Sequence, residues 1–280
     1  MDQSDMRAKS LAIWDEMAAG WHDQADYMWE TTRGLGEWMV DKLAPNPGDT
    51  VLDIAAGPGW TGFVAAKLVG DSGKLISTDF SSSMVEVAEK TAVNLGLTNI
   101  EFRRMDAERM DLPEDSVDGA LCRWGYMLMM DPSKALSETR RVLKPGGRLV
   151  FSVWGTPADN PWATMAGMVM VNLGKIELPD PDAPGSIFSM SSASRIEPML
   201  SVAGFDHWEV EQVPVPWRFK SQDELWSFYS QIAGAISIML KDMSEEEVAE
   251  VREAVIQQAA TFLTDGEYRF PGMTVNAVAW

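Results

Sequence analysis

Three aspartates and a glycine triplet carry the chemistry that can be read from this chain. Gly57, Gly59 and Gly62 in "DIAAGPGWTG" keep the G-x-G-x-x-G spacing of dinucleotide-binding turns. Any tight turn from strand to helix, however, wants residues that tolerate positive φ and close backbone approach. Two neighbours argue against a pyrophosphate ligand. Pro58 removes a backbone donor from the turn, and Asp53 puts negative charge where a phosphate would sit. A zwitterionic or cationic ligand suits the same acid, and its carboxylate would lie near the N-terminus of the helix that begins around Trp60. Asp79, at the end of "KLISTD", suits bidentate hydrogen bonding to ribose hydroxyls, as in NAD enzymes and other nucleoside binders alike. Asp106 discriminates better: an acceptor at a third strand end receives a hydrogen bond from the exocyclic amine of adenine, while the next backbone N–H, that of Ala107, meets a ring nitrogen.

These residues need a sheet to bring them together. Val51, Leu52 and Ile54 form a short apolar run ended by glycines and read as a buried first strand. The segment after Gly59 reads as a helix to about Val69, and "KLISTD" as a second strand. Ser83 and Glu86 have the spacing of a capping box for a helix that stops at Gly96. "IEFRRM" supplies a third strand and "VDGALCRW" a fourth. Asp131-Pro132 is an N-cap and N1 pair for a helix closing at "LKPGG", and "RLVFSVW" is a fifth strand. Strands alternating with helices imply a mostly parallel α/β sheet covered on both faces, with ligands at the carboxyl ends of the strands. Asp53, Asp79, Asp106 and the segment Arg123 to Tyr126 all fall at such ends. Farther on, "HWEVEQVPVPWRF" reads as a sixth strand region and "MTVNAVAW" as a last strand, while 1–43, 157–203 and 221–263 read as helical cover.

Composition narrows the function. The chain has 280 residues, 46% hydrophobic and 23% charged, ordinary for a globular protein with one sizeable core. Lys and Arg total 23 against 42 Asp and Glu, and the net charge of -19 would repel a nucleic-acid backbone. The start "MDQSDMRAKSLAIWDEM" lacks the apolar region of a secretory signal, and the uncharged runs 160–174 and 225–240 fall short of the roughly 20 apolar residues of a membrane span. The single Cys122 allows no internal disulfide, so a cytoplasmic protein without a membrane span is expected. Two distant histidines and one cysteine make no metal-ligand spacing, and no metal is expected.

With these residues in place the chain resembles the class I S-adenosylmethionine (SAM)-dependent methyltransferases, in particular small-molecule enzymes related to the ubiquinone/menaquinone and sterol methyltransferases. "VLDIAAGPG" resembles the family's first motif, with Ala56 where many members have Gly or Cys; "LISTDFSSSMVEVAEK" resembles the motif bearing the ribose-binding acid. "MDAERMDLPEDSVDGALCRWGYMLMMDP" and "RRVLKPGGRLVFSVWG" resemble the segments that follow, so that 45–155 is covered strongly, with weaker likeness at "MLSVAGFDHWEVEQV" and "YRFPGMTVNAVAW". The resemblance implies a Rossmann-like fold with a mostly parallel seven-stranded sheet whose last strand is antiparallel. It implies one domain over 1–280, with 1–43 as N-terminal cover, 45–155 as cofactor-binding core, 157–203 and 221–263 as acceptor-pocket insertions, and 204–219 and 268–280 as the last two strands. It also implies that Asp53 lies near the cofactor ammonium, that Ala55, Gly57 and Gly59 let the methionine moiety cross the turn, and that Asp79 holds the ribose. Phe80 and Met84 would then border the adenine, Asp106 and Ala107 read its edge, and Arg123 offers main-chain contacts near the amino-acid end.

The acceptor is expected to be a small apolar or aromatic metabolite, and the product cofactor S-adenosylhomocysteine (SAH). "RWGY" stands where amine-directed nucleic-acid and glutamine methyltransferases carry an "NPPY"-type motif, which argues against bases and protein amides as acceptors. Trp124, Tyr126, Trp154 and Trp217 lie at or after strand ends and suit an aromatic-walled pocket, although packing between the sheet and its cover would use the same residues. Met127, Met129, Met130, Met165, Met168 and Met170 read as core filler in preference to an adaptable pocket lining. Methyl transfer from a sulfonium is an in-line displacement with a good leaving group, so a dedicated catalytic residue is optional. If a base is used, His22 and Tyr126 are the candidates; His207 would fall at the opposite end of the sheet. The rival readings are an NAD(P)-dependent oxidoreductase and a non-catalytic module that binds SAM or SAH.

Overall fold

A computed structural model describes residues 3–232 and 235–280; the parts of the expected covers at 1–2 and 233–234 lie outside them. Two helices, α1 (Gln3–Asp23) and α2 (Ala25–Leu43), open the chain. The second ends at Ala44, which adopts φ 50 and returns its N–H to Val40 O before two prolines forbid further helix. The core then alternates: β1 (Thr50–Ile54), α3 (Trp60–Val69), β2 (Lys74–Asp79), α4 (Ser82–Asn94), β3 (Ile100–Arg104), β4 (Val117–Arg123), α5 (Pro132–Val142) and β5 (Leu143–Trp154). Asp131 caps α5 as its sequence requires, accepting the Lys134 N–H at 3.0 Å. For α4 the cap is Ser81 instead of Ser83: residue 81 has extended backbone, and its Oγ accepts the Met84 N–H.

After α6 (Pro161–Asn172) and α7 (Ala193–Ala203) come β6 (Trp208–Pro214) and β7 (Trp217–Phe219); α8 (Gln222–Gln231), α9 (Ala235–Lys241) and α10 (Glu245–Ala259) lead to β8 (Leu263–Thr264), β9 (Glu267–Phe270) and β10 (Met273–Ala279). The main sheet has seven strands in the order β3-β2-β1-β4-β5-β10-β6, with β10 antiparallel to both neighbours. Strand order reverses between β1 and β4, and a crevice at such a switch point is where open α/β sheets bind ligands.

The stretches 204–219 and 268–280 do not run as two continuous strands. Both leave the main sheet at one place, because Pro214, Pro216 and Pro271 lack the N–H that would continue a ladder. Val215 donates its N–H to Gly272 O, and a Cβ on Gly272 would strike Val215 O, so only glycine allows this approach. Beyond the break, β7, β9 and β8 form a separate three-stranded sheet.

Side-chain alternation assigns the faces of the main sheet. A Cβ on Gly119 would meet Leu43, which puts α2 over the face of Gly119, Leu121 and Arg123. Tyr126 stands on the opposite face, edge-on to Phe151 and hydrogen-bonded to Thr139 of α5. Among the described residues no helix is long and apolar enough to cross a membrane.

Candidate active site

Asp53, in β1, is fully buried and accepts the Gly62 N–H from the first turn of α3 at 3.0 Å. A Cβ on Gly62 would strike this carboxylate, so Gly62 serves helix-to-strand packing rather than a phosphate. Burial pushes the Asp53 carboxyl up to about 7, against the opposing pull of Arg123 and of the Gly62 hydrogen bond. The turn itself has left-handed backbone at Ala55 (φ 52), Gly57 (φ 54) and Gly59 (φ 89). A Cβ on Gly57 would enter open space, whereas one on Gly59 would hit the Phe63 ring. Gly57 therefore borders an open approach, and Gly59 is required by packing as well as by φ.

Asp79 ends β2 and organises the neighbouring turns. Its Oδ2 accepts the Gly57 N–H and its Oδ1 the Ser81 N–H, both at 2.9 Å. Burial pushes its carboxyl up to about 6 in spite of these bonds. Phe80 is half-buried beside it, and Met84 is buried in the first turn of α4. Beyond β3, Asp106 Oδ1 accepts the Glu108 N–H at 2.9 Å, and Ala107 is half-buried between the two acids. Two shallow surface hollows, of about 260 and 450 Å³, lie away from these residues, around Asn99 and along α4.

Arg123, at the end of β4, faces α2 and donates from Nη1 to Thr32 Oγ1 at 2.7 Å. Its guanidinium lies 4.7 Å from the Trp124 ring centroid, and burial pushes it down to about 10 against the attraction of Asp53. Trp124 has φ 63, a conformation a bulky side chain rarely adopts. With Ala55 it makes a pair of strained residues flanking the switch point. A Cβ on the intervening Gly125 would meet Ala55 Cβ and Cys122 Sγ, so the two loops are in contact.

The aromatic residues divide. Trp124 and Trp154 stack at 4.2 Å, and Trp162 of α6 packs against Trp154 at 4.7 Å. Trp217 is 0% exposed, enclosed by Trp162, Phe228 and Phe219, and belongs to the core that joins the small sheet to α6 and α8. Tyr126 is 0% exposed as well; its hydroxyl is 2.6 Å from Thr139 Oγ1, and burial holds the phenol well above its ordinary range. It is a core residue on the α5 face, which removes it as a base and as a pocket wall. His22 is exposed at the end of α1, with no hydrogen bond to a site residue among those described. His207 is exposed at the opposite end of the sheet, its ring tilted against that of Trp280. Met127, Met165 and Met170 are buried and fill the core as expected, whereas Met129 and Met130 are half-buried and Met168, on the outer face of α6, is exposed and does not.

Arg7 is a site residue that the sequence reading missed. It pairs with both Asp106 and Glu108, 99 and 101 residues away. Glu108 also accepts the N–H groups of Met130 and Asp131, tying the segment after β3 to that after β4. No local spacing signals such contacts: Arg7 is one of two cations, with Lys9, near the start of α1, and nothing in the sequence singles it out.

A family profile described as a methyltransferase domain matches residues 45–204, more than half of the chain. The ubiquinone/menaquinone biosynthesis C-methyltransferase UbiE of Francisella tularensis is 31% identical over 183 residues, 62% of this chain and 73% of the relative. The corresponding protein of Hahella chejuensis is 34% identical over 149 residues, covering 52% of this chain and 60% of that one. Among solved structures, the YcgJ protein of Bacillus subtilis superposes with a TM-score of 0.59 at 21% identity, covering 87% of this chain and 96% of its own, a likeness of fold. The acids at consecutive strand ends, the glycine turn at the switch point and the seven-stranded sheet thus have one common source: the chain belongs to the methyltransferase domain family and is a SAM-dependent methyltransferase.

Proposed function

We propose that the protein transfers the methyl group of SAM to a small apolar or aromatic acceptor held against Trp124 and Trp154, releasing SAH. The observation that carries the cofactor assignment is the placement of a buried carboxylate and a guanidinium on one face, at the ends of two adjacent strands. Asp53 lies on β1 and Arg123 on β4, on the same face, each buried enough to feel the other, with the N-terminus of α3 between strand and solvent. A zwitterionic amino-acid end matches that arrangement, its ammonium toward Asp53 and its carboxylate toward α3 and Arg123. Ala55, Gly57 and Gly59 would border the methionine chain, Asp79 the ribose hydroxyls, Phe80 and Met84 the adenine, and Asp106 with the Ala107 N–H the adenine edge.

When bound, SAM supplies an electrophilic methyl group on a sulfonium, a leaving group that needs no proton. The chain's contribution is then to position and to exclude water: the strained Trp124 and its stacked partner Trp154 would form an apolar floor for a flat acceptor beside the end of β4. UbiE relatives are named for C-methylation in quinone biosynthesis, so a hydroquinone ring is the first acceptor class to test. With Tyr126 committed to Thr139, the acceptor's own ionisable hydroxyl provides the activation a ring carbon needs.

Isothermal titration should show binding of SAM and SAH, and mass spectrometry with isotope-labelled SAM and reduced benzo- and naphthoquinols should show a labelled ring carbon. Absence of SAH binding at millimolar concentration would sink the cofactor site. Binding with methylation only of amines or thiols would sink the acceptor assignment.

A further inference from the structure

The adenine-side acid already has a partner within the chain. α1 packs against α4, and from it Arg7 gives one Nη to Asp106 Oδ2 and the other to Glu108 Oε2. The guanidinium carbon lies 6.0 Å from the centroid of the Phe80 ring. A second tie, from Ser81 Oγ to Asp15 Oδ1, fixes the same helix beside Asp79. Asp106 Oδ1 is taken by the Glu108 N–H, which leaves Oδ2 as the oxygen free for a ligand, and Arg7 holds it.

We propose that Arg7 occupies the adenine seat and competes with the cofactor for it. The inference rests on the cofactor site of the preceding subsection. A guanidinium is a flat, delocalised group with N–H donors along its edge, so at Asp106 and over Phe80 it presents the features that an adenine ring and its amine would present. A guanidinium beside Asp106 and over Phe80 stands in the space that an adenine ring would take there, so Arg7 releases Asp106 before an adenine nucleoside docks. Two features keep that release inexpensive. The Arg7 and Asp106 side chains are 27% and 31% exposed, where an ion pair contributes little net stability. Glu108, whose side chain is 6% exposed and anchored by two backbone N–H groups, remains as a second carboxylate, so Arg7 moves aside without losing its charge partner. The device makes cofactor entry conditional on withdrawal of the Arg7 side chain from Asp106. It lowers the apparent affinity by the fraction of molecules in which Asp106 is free, about tenfold if that fraction is about one in ten.

The test is isothermal titration of SAH, 5′-methylthioadenosine and L-methionine into wild-type protein and Arg7→Met. The expected result is a five- to tenfold tighter Kd for the two adenine-bearing ligands in Arg7→Met. L-methionine affinity should not change, and Arg7→Lys should fall between wild type and Arg7→Met. Unchanged or weaker SAH binding in Arg7→Met overturns the proposal, because Arg7 would then be neutral or would hold the bound nucleoside itself. Failure of the wild type and Arg7→Met alike to bind SAH is a different result, which removes the cofactor site and this inference with it.

Discussion

The two sides of the switch point are held by different interactions. On the cofactor side each acid is held by main-chain N–H groups: Asp53 by Gly62, Asp79 by Gly57 and Ser81, Asp106 by Glu108. Buried side-chain atoms without a hydrogen-bond partner among the described residues occur on both sides: Trp60 Nε1 and Thr61 Oγ1 at the start of α3, and Trp124 Nε1, the Ser152 hydroxyl and both amide atoms of Asn276 toward β5 and β10. Ser152 and Asn276 are register partners across β5 and β10, so several of these orphans share one patch of sheet. Each costs roughly 1–3 kcal/mol relative to a satisfied group. The acids proposed to bind the cofactor are thus preorganised by local turns, whereas the side of β5 and β10 is stabilised by aromatic packing.

Substitutions that break one side should leave the other in place, beginning with the largest effect. Trp217→Ala removes the ring that links the small sheet to α6 and α8 and should destabilise the fold by about 3–5 kcal/mol in denaturant titration. SAH affinity of the folded fraction should barely change; a large loss would mean that the two sides are mechanically coupled. Asp79→Ala should act the other way, weakening SAH binding by about 1.5–3 kcal/mol by calorimetry, because charge-assisted hydrogen bonds to the ribose are lost. Unchanged affinity in the folded variant would remove Asp79 from the site.

The buried acids also set a pH dependence with two signs. Asp53 and Asp79 have carboxyls raised to about 7 and about 6, so each holds a proton in the folded chain at a pH where the unfolded chain has released it. Their contribution to apo stability is present in full below the ordinary carboxylate range and is lost as pH rises through about 6 to 7. A ligand ammonium at Asp53 and ribose hydroxyls at Asp79 need the ionised carboxylates, so SAH affinity should instead fall, roughly tenfold or more, between pH 7.5 and 5.5. Titrations across that range check both signs, and Asp53→Asn should flatten the affinity profile. The smallest effect belongs to Tyr126→Phe, which should cost about 1 kcal/mol of stability and leave turnover intact, since Thr139 keeps its bond to Ala135 O. A large loss of turnover would restore the phenol as a base.

How much of this was legible follows from how local each signal is. β1 to β4 could be bounded nearly to the residue because each ends in a glycine turn, an acid or an N-cap that acts within a few positions. β5, by contrast, starts at Leu143, five residues before the expected "RLVFSVW", because "LKPGG" is extended and belongs to the strand. The α4 cap was misread by two residues because four consecutive positions, Phe80 to Ser83, offer three serines, and only backbone conformation chooses among them. Trp217 and Tyr126 were aromatic residues near strand ends, yet which face they take depends on pairings with segments far along the chain. The second sheet was hidden for the same reason: β7 pairs with β9, about fifty residues later, and neither is long enough to stand out alone.

By itself the sequence determined the alternating core, the three acids at successive strand ends and the nature of a ligand that would tolerate Asp53 and Pro58, because strand period, turn chemistry and charge are properties of neighbouring residues. Only the tertiary structure decided that Asp53 and Arg123 face one another's field, that Trp124 meets Trp154 while Tyr126 turns away, and that Arg7 reaches Asp106. Those relations are set by sheet order, by the side chosen at each strand and by the docking of α1, and they are made by residues that the chain keeps tens of positions apart.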